Sequence, residues 1–244
     1  MKLITFHGDD KLPSFSPFCL KAMCLLEMAG QEWEPEYIQD LSTMPLGRVP
    51  VLRLQDELIP DSHHIQEHLE RNGFDFNPGL TASDKATSHA LVRMTEESLR
   101  LGLVHDRWLD EKVWPEMRGS FFAAVPDQMR NEVAAQVQDQ VRAGLTSHGI
   151  AQFQPDDRVR RLNKDMIALE HQLSGKAFLF GDEPSAADAT IAPVLDMILG
   201  LPAPTALRAA AESFHVFAPY VSRTREAIYP PMERFSAGAS AAAE

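Results

Sequence analysis

The sequence predicts an α/β part followed by an all-helical part, and three observations lead to this fold class. The first 71 residues show patterns in the order strand, helix, strand, strand, strand, helix. From residue 84 onward, apolar residues recur at helical spacing and no strong strand pattern follows. The breaker cluster Asn77-Pro78-Gly79 separates the two parts. We therefore expect domains at residues 1–76 and 84–235, followed by a flexible tail at 236–244.

Local signals place each element of this plan. The segment 3–7 has a strand pattern that ends at Gly8. A helix begins at Pro17, a favourable first helical residue, and stops at Gly30, while Asp61-Ser62 opens a second helix that runs to about Arg71. The other predicted strands lie at 33–38, 49–54 and 57–59. The other predicted helices lie at 84–110, 127–147, 157–174, 185–199 and 218–228.

Composition and charge exclude several classes of protein. With 23 Lys and Arg against 35 Asp and Glu, the net charge of −12 is a poor match for nucleic acid or anionic membranes. The two cysteines lie in one predicted helix and do not make a disulfide framework, which favours a reducing compartment. The longest apolar run, 191–201, is about half of a membrane span. We expect a cytoplasmic protein without a membrane anchor.

The motif Ser16-Pro17-Phe18-Cys19 is a strong helix start with two readings. Ser16 is a good N-cap and Pro17 lacks an N–H that would have no partner there. The hydroxyl is then a cap only, or it also donates a hydrogen bond to a thiolate held at the helix N-terminus. Ser14 is a second candidate donor, and Cys19 is expected to be buried in the core.

Two further motifs of the first part have the same ambiguity. In Gly47-Arg48-Val49-Pro50, a proline that enters a strand is either an ordinary strand start or a cis proline. A cis bond would turn the Val49 backbone outward, where an extended ligand can pair with it. In Asp61-Ser62, Ser62 is the expected N-cap, and the same helix N-terminus suits a carboxylate.

Together these motifs resemble the thioredoxin-like half of the glutathione transferase superfamily. The segment 181–188 resembles that family's capping box, in which Ser185 caps a helix and Asp188 returns the hydrogen bond. Further motifs are similar to the metaxin and failed-axon-connections branch, and the resemblance runs from about residue 3 to 230. These motifs are Ser16-Pro17-Phe18-Cys19-Leu20-Lys21, Met28-Ala29-Gly30, Asp61-Ser62, Arg107-Trp108 and Tyr220…Arg223…Ile228-Tyr229-Pro230.

The resemblance implies a glutathione site in the first domain. Ser16, or Ser14 in its place, would hydrogen-bond the glutathione thiolate, and Val49 before Pro50 would pair with the cysteinyl part. Asp61 and Ser62 would hold the γ-glutamyl end, while charge alone points Arg48 to the glycyl carboxylate.

For the second substrate, the resemblance implies an electrophilic, apolar small molecule. It would lie between the domains, lined by His105, Arg107, Trp108 and Trp114. Family members act in detoxification and commonly form dimers, so a homodimer without a metal is expected.

Two rival functions remain open. The branch includes members whose catalysis is uncertain or absent, some of them at mitochondrial membranes, so a non-catalytic binding or scaffold protein is one rival. The other is a glutathione-dependent redox enzyme that uses Cys19. Dithiol exchange through a C-P-x-C motif is excluded, because Ser16 takes the place of the attacking cysteine. The string 64–68 matches H-x-x-E-H, but no third metal ligand accompanies it.

Overall fold

The computed structural model describes residues 1–38 and 40–236, apart from the side chain of Ser236. Two compact units are present, each assembled from non-consecutive segments. Unit 1 comprises residues 1–88, 176–193 and the described chain from 222 onward, and unit 2 comprises residues 89–175 and 194–221. The consecutive domains at 1–76 and 84–235 stay a prediction.

Unit 1 contains a four-stranded mixed sheet. Its strands are β1 (Lys2–Thr5), β2 (Glu34–Tyr37), β3 (Val51–Arg53) and β4 (Leu58–Pro60), in the spatial order β2-β1-β3-β4. β2 runs parallel to β1, while β3 is antiparallel to both β1 and β4. Helices α1 (Pro17–Met28) and α2 (Ser62–Arg71) follow β1 and β4. This is the predicted element order, with strands shorter than the sequence patterns.

The core of unit 1 forms where α1 meets the sheet. Every residue of α1 from Cys19 to Leu26 is buried, which is more than the single stripe of an amphipathic surface helix. Leu3 and Leu52 on neighbouring strands and Ile65 on α2 are fully buried as well. The first helix is therefore held firmly, and its N-terminus has a well-defined position.

The rest of the chain is helical, which confirms the predicted fold class. The predicted helix at 84–110 is a continuous run of α3 (Ala82–Met94), a π-helical turn (Thr95–Leu99) and α4 (Arg100–Leu109). Three short helices were not predicted, because a segment of four to eight residues is too short for a clear apolar period. The remaining helices are α5 (Trp114–Phe121), α6 (Asp127–His148), α7 (Pro155–Leu173), α8 (Ala186–Leu199), α9 (Ala206–Glu212), α10 (Phe217–Ile228) and α11 (Glu233–Ser236), with 3₁₀ turns at Leu41–Thr43 and Ile150–Gln152.

The described chain contains no helix that is both long and apolar enough to cross a bilayer. The predicted tail at 236–244 begins at Ser236, the last residue of α11, and its residues 237–244 lie outside the described part of the chain.

Asp188 anchors the start of α8 from a fully buried position. One carboxylate oxygen accepts hydrogen bonds from the N–H and the hydroxyl of Ser185, both at 2.8 Å. The other accepts from the N–H of Leu179 at 3.0 Å. The bond from the Ser185 N–H is the one that the expected capping box has Asp188 return, and the Ser185 hydroxyl donates to the same carboxylate oxygen. The motif ties the chain before α8 to the helix.

We expect Asp188→Ala to lower the free energy of unfolding by about 3 kcal/mol, because it leaves two buried N–H groups without an acceptor. Urea denaturation measures the change. The exposed Asp182 is the matched control, and Asp182→Ala should change stability by less than about 0.5 kcal/mol. Equal effects of the two substitutions would contradict the anchoring role.

Candidate functional site

The register of the sheet brings three predicted site segments to one end of unit 1. Ile4 near the end of β1 pairs with Val51 at the start of β3, and Val51 pairs with Pro60 at the end of β4. The Asp61 N–H donates to the Pro50 carbonyl at 3.0 Å, which ties the start of α2 to the entry of β3. The segments 14–16, 48–50 and 61–62 therefore adjoin the same sheet end, and we call this end the candidate site.

Ser16 caps α1 at the candidate site. Its backbone is extended, with φ −93° and ψ 121°, and its Oγ accepts a hydrogen bond from the Cys19 N–H at 3.3 Å. The side chain is half-buried, and no acidic residue occupies the first turn of the helix. The cap uses the oxygen of the hydroxyl as an acceptor, and the same hydroxyl lies within hydrogen-bond reach of the Cys19 thiol, so its one proton serves a ligand when it turns away from that sulfur. The two readings of the motif are therefore compatible.

Ser14 differs from Ser16 because it is fully buried. Its Oγ accepts from the Ser16 N–H at 3.2 Å and lies 3.5 Å from the Thr5 Oγ1. Thr5 is also fully buried, and its hydroxyl lies 3.0 Å from the Phe6 carbonyl. Of the two predicted hydrogen-bond donors, only Ser16 therefore has surface that a ligand can reach.

The Cys19 side chain lies behind these hydroxyls and is fully buried, which confirms that it is a core residue. Burial raises the pKa of the Cys19 thiol, and hydrogen bonds from Thr5, Ser16, the Phe6 backbone and Ser14 oppose this only in part. The neutral form is favoured, whereas a redox-active cysteine needs a thiolate with access to its partner. Nothing at this position supports the redox alternative.

Asp61, and not Ser62, is the N-cap of α2. Its Oδ1 accepts from the His63 N–H at 3.0 Å, and Ser62 is the first helical residue, only 2% exposed. Asp61 has φ 75°, and no other non-glycine residue of the described chain has a positive φ. Such a conformation costs about 1–3 kcal/mol and is typical of ligand clamps. The N-cap of α2 is thus one residue earlier than the sequence predicted. The unusual backbone of Asp61 makes it a candidate for ligand contact.

Arg48 forms an ion pair with Asp61, with 3.3 Å between its Nη2 and the carboxylate Oδ2. The two side chains are 65% and 33% exposed, so the pair is solvated and contributes little to stability. The arrangement places a guanidinium and a carboxylate side by side at the surface of the candidate site.

Val49 and Pro50 connect these groups to the sheet. The peptide bond between them is cis, one of the two forms that the sequence left open. Val49 is buried, and within the described residues neither its N–H nor its C=O takes part in a backbone hydrogen bond. Buried backbone groups are nearly always paired, so this strand-like edge suits an added extended ligand.

The other predicted pocket residues lie on α4 in unit 2. The His105 Nδ1 lies 3.0 Å from the Asp106 carboxylate, and the His105 side chain is only 12% exposed. Arg107 is 7% exposed, and its guanidinium lies 6.0 Å from the centre of the Phe121 ring. Both side chains are thus engaged within unit 2.

Trp108 belongs to an aromatic cluster that sequence reasoning found only in part. It stacks on Trp114 with ring centres 5.2 Å apart, and the Phe121 ring lies 5.3 Å away. Phe122 packs edge-on against both indoles. The sequence analysis named the two tryptophans but not the phenylalanines, which lie at the end of the unpredicted helix α5. Trp108, Trp114 and Phe121 remain half-buried, so the cluster offers a partly exposed aromatic surface.

The H-x-x-E-H string does not form a metal centre. The His64 Nδ1 is 2.9 Å from the Pro60 carbonyl, while the His68 Nε2 is 3.1 Å from the Asn72 amide. Across the described residues, no group of three or more His, Cys, Asp and Glu side chains is arranged to hold a metal ion.

Family models match most of the chain. A model for the glutathione S-transferase N-terminal domain matches residues 17–113, and one for the glutathione S-transferase C-terminal domain matches residues 132–215. The first match includes the site segments 48–50 and 61–62 and begins directly after Ser16, and the second includes most of the helical part.

Curated relatives include proteins of the branch that the sequence resembles. Metaxin-1 of Macaca fascicularis is 25% identical over 94% of this chain and 75% of its own length. Failed axon connections of Drosophila melanogaster is 26% identical over 80% of this chain and 49% of its own length. The isoprene-epoxide–glutathione S-transferase of Rhodococcus sp. (strain AD45) is 28% identical over 82% of this chain and 88% of its own length.

A comparison with solved structures supports the same fold. The beta-etherase LigF from Sphingobium sp. strain SYK-6 superimposes with a TM-score of 0.64 at 17% identity. The match covers 97% of this chain and 98% of that one.

We expect neither cysteine to react with an aromatic disulfide reagent in the folded protein at neutral pH, because both are thiols outside any disulfide and are fully buried. In guanidinium chloride both should react, and the absorbance of the released thiolate counts them. Rapid reaction of Cys19 in the folded protein, absent in Cys19→Ser, would restore the redox alternative.

Proposed function

The chain belongs to the glutathione transferase superfamily, and from this premise we propose that it binds glutathione at the candidate site and transfers the thiolate to an electrophilic, apolar small molecule. One observation carries the proposal: the sheet register places the Ser16 hydroxyl, the unpaired Val49 backbone and the Asp61 carboxylate at the same end of unit 1. A thiol, a peptide backbone and a charged terminus are the parts that a short thiol peptide presents.

Ser16 would stabilise the thiolate of bound glutathione. The cap holds its Oγ at the N-terminus of α1, which adds a partial positive charge. Each unit by which the thiol pKa falls requires about 1.4 kcal/mol of preferential stabilisation of the thiolate. A hydrogen bond to an ionised group supplies about this amount.

The thiolate would then attack an electrophilic carbon. For an epoxide, a new S–C bond forms as the ring C–O bond breaks, and the oxygen takes a proton from water. The name of the Rhodococcus relative, an isoprene-epoxide–glutathione transferase, supports small epoxides as the first class to test. Within unit 2, the half-buried rings of the Trp108 cluster suit an apolar or aromatic molecule, whereas the His105 and Arg107 side chains are already engaged with Asp106 and Phe121.

The geometry favours a different role for Arg48 from the one that its charge alone indicated. The ends of an extended tripeptide are on the order of 10 Å apart. Arg48 lies 3.3 Å from Asp61, so the two side chains serve the same end of such a ligand. We assign the ammonium of the γ-glutamyl group to Asp61 and its α-carboxylate to Arg48, with the α2 N-terminus at Ser62 nearby. The glycyl carboxylate is then left to other groups.

The cellular setting is part of the proposal. Neither cysteine forms a disulfide, and the described chain has no helix that could span a bilayer. A cytoplasmic homodimer that detoxifies electrophiles fits these observations and the superfamily. A protein that binds glutathione without turning over electrophiles is the rival that the experiments below separate.

Calorimetric titration with glutathione tests the binding step. We expect millimolar glutathione to release heat and raise the melting temperature of the wild type. Asp61→Asn should weaken binding at least 10-fold, because it removes the negative charge that we assign to the γ-glutamyl ammonium. Ser62→Ala removes a hydroxyl that is only 2% exposed at the α2 N-terminus and should weaken binding less. Ser42→Ala, an exposed serine in a 3₁₀ turn of unit 1, is the control that should leave binding unchanged. No heat and no thermal stabilisation in the wild type would overturn the proposal.

Turnover of small epoxides tests the catalytic step separately. Ser16→Ala should lower kcat/KM about 100-fold, the loss typical of a hydrogen-bond donor to a reacting anion. Ser16→Thr keeps both the cap and the hydroxyl, so most of the activity should return. Glutathione binding without turnover in the wild type would leave a non-catalytic binding protein.

Two glutathione analogues test the role of Arg48. The 4-aminobutyryl analogue lacks only the α-carboxylate of the γ-glutamyl group, and γ-glutamylcysteine lacks the glycine. Arg48→Ala should weaken binding of glutathione and of γ-glutamylcysteine about 10-fold and leave binding of the 4-aminobutyryl analogue unchanged. The reverse pattern, in which only γ-glutamylcysteine is insensitive, would assign Arg48 to the glycyl carboxylate.

A further inference from the structure

Behind Ser16 lies a buried hydroxyl pair that the proposed function does not use directly. We propose that Ser14, supported by Thr5, is a positioning residue that holds the Ser16 hydroxyl in place for the ligand sulfur. This inference rests on the proposed function, because it concerns how the Ser16 hydroxyl is positioned for bound glutathione.

The loop between β1 and α1 is built to return Ser14 to the end of β1. A Cβ on Gly8 would lie 1.8 Å from the Leu12 carbonyl oxygen and 2.7 Å from the Ser14 nitrogen, so only glycine permits this approach. The Asp9 N–H donates to the Leu12 carbonyl at 2.9 Å, and the Phe15 N–H donates to the His7 carbonyl at 3.1 Å. These bonds close the loop, so Ser14 has a fixed place beside Thr5.

The hydrogen-bond partners and the burial of Ser14 separate its role from that of Ser16. A hydroxyl has one proton to donate and two lone pairs to accept with. The Ser14 oxygen accepts from the Ser16 N–H at 3.2 Å, and the Thr5 hydroxyl and the Cys19 thiol lie within hydrogen-bond reach. With no exposed surface, Ser14 exchanges hydrogen bonds only with protein groups. It therefore cannot be the group that meets the ligand.

Ser14 and the cap together hold Ser16 from two sides. Its N–H is bonded to Ser14, and its Oγ is bonded to the Cys19 N–H at 3.3 Å. Both the backbone and the side chain of Ser16 are thus oriented before a ligand arrives. Preorganised donors stabilise a developing or bound anion better than mobile ones, because no reorganisation is needed.

Removal of the Ser14 hydroxyl should therefore affect the ligand thiol more than ligand binding. We assign Asp61 and Arg48 to the γ-glutamyl end, and both lie on other segments of the chain than Ser14. We expect the pKa of the bound glutathione thiol to rise by about one unit in Ser14→Ala, with less than a threefold change in Kd. A merely structural role would not shift the thiol pKa selectively.

The experiment measures the ultraviolet absorbance of the bound glutathione thiolate as a function of pH. Calorimetry gives the Kd of glutathione for each variant. Ser16→Ala sets the largest shift, and Ser14→Ala should give a smaller shift of the same sign. Thr5→Val removes the supporting hydroxyl at nearly constant shape and should shift the pKa in the same direction. Thr5→Ser, which keeps the hydroxyl, should restore the wild-type value.

The outcomes are separable. An unchanged thiol pKa in Ser14→Ala, or a larger shift than in Ser16→Ala, overturns the positioning role while glutathione binding still stands. If Ser14→Ala does not fold, Thr5→Val decides, and an unchanged pKa in that variant overturns the inference. Absence of glutathione binding by the wild type is read from calorimetry alone and overturns the proposed function together with this inference.

Discussion

The hydrogen-bonded ladder through β1, β3 and β4 is the constraint on which the candidate site depends. Ile4, Val51 and Pro60 are paired across three neighbouring strands. The site segment 48–50 directly precedes Val51, the segment 61–62 directly follows Pro60, and the loop after β1 leads to the segment 14–16. A slip of one residue in this register would turn the buried side chains outward, so the hydrophobic core enforces it. Burial of Ile4, Val51 and Leu52 thus places polar groups that are far apart in the sequence.

Two helix N-termini supply the chemistry at this end of the sheet, and they do so differently. The N-terminus of α1 is capped by a neutral hydroxyl, with no acidic residue in its first turn. The N-terminus of α2 is capped by a carboxylate that is balanced by an arginine. The first therefore leaves its partial positive charge for an anion, whereas the second presents a zwitterionic pair. A ligand that carries a thiolate and an amino-acid terminus is complementary to both.

Burial decides which of the reactive side chains near α1 can act. Thr5, Ser14 and Cys19 have no exposed surface, while Ser16 is half-buried. The buried thiol is held neutral, because desolvation outweighs the hydrogen bonds that would favour its ionisation. In this C-P-x-C-like segment, the protein's own sulfur is therefore a core atom, and the residue at the first position, Ser16, is only half-buried.

The sequence by itself determined the features that depend on neighbouring residues. The α1 start at Ser16-Pro17, the order of strands and helices, and the burial of Cys19 follow from capping, periodicity and apolar character within a few positions. Only the tertiary structure decided that Asp61 caps α2 in place of Ser62, that Arg48 pairs with Asp61, and that Ser14 is enclosed while Ser16 is not. These outcomes require groups from separate strands and loops to meet, and a local pattern carries no record of which of two adjacent polar residues will face the other segment.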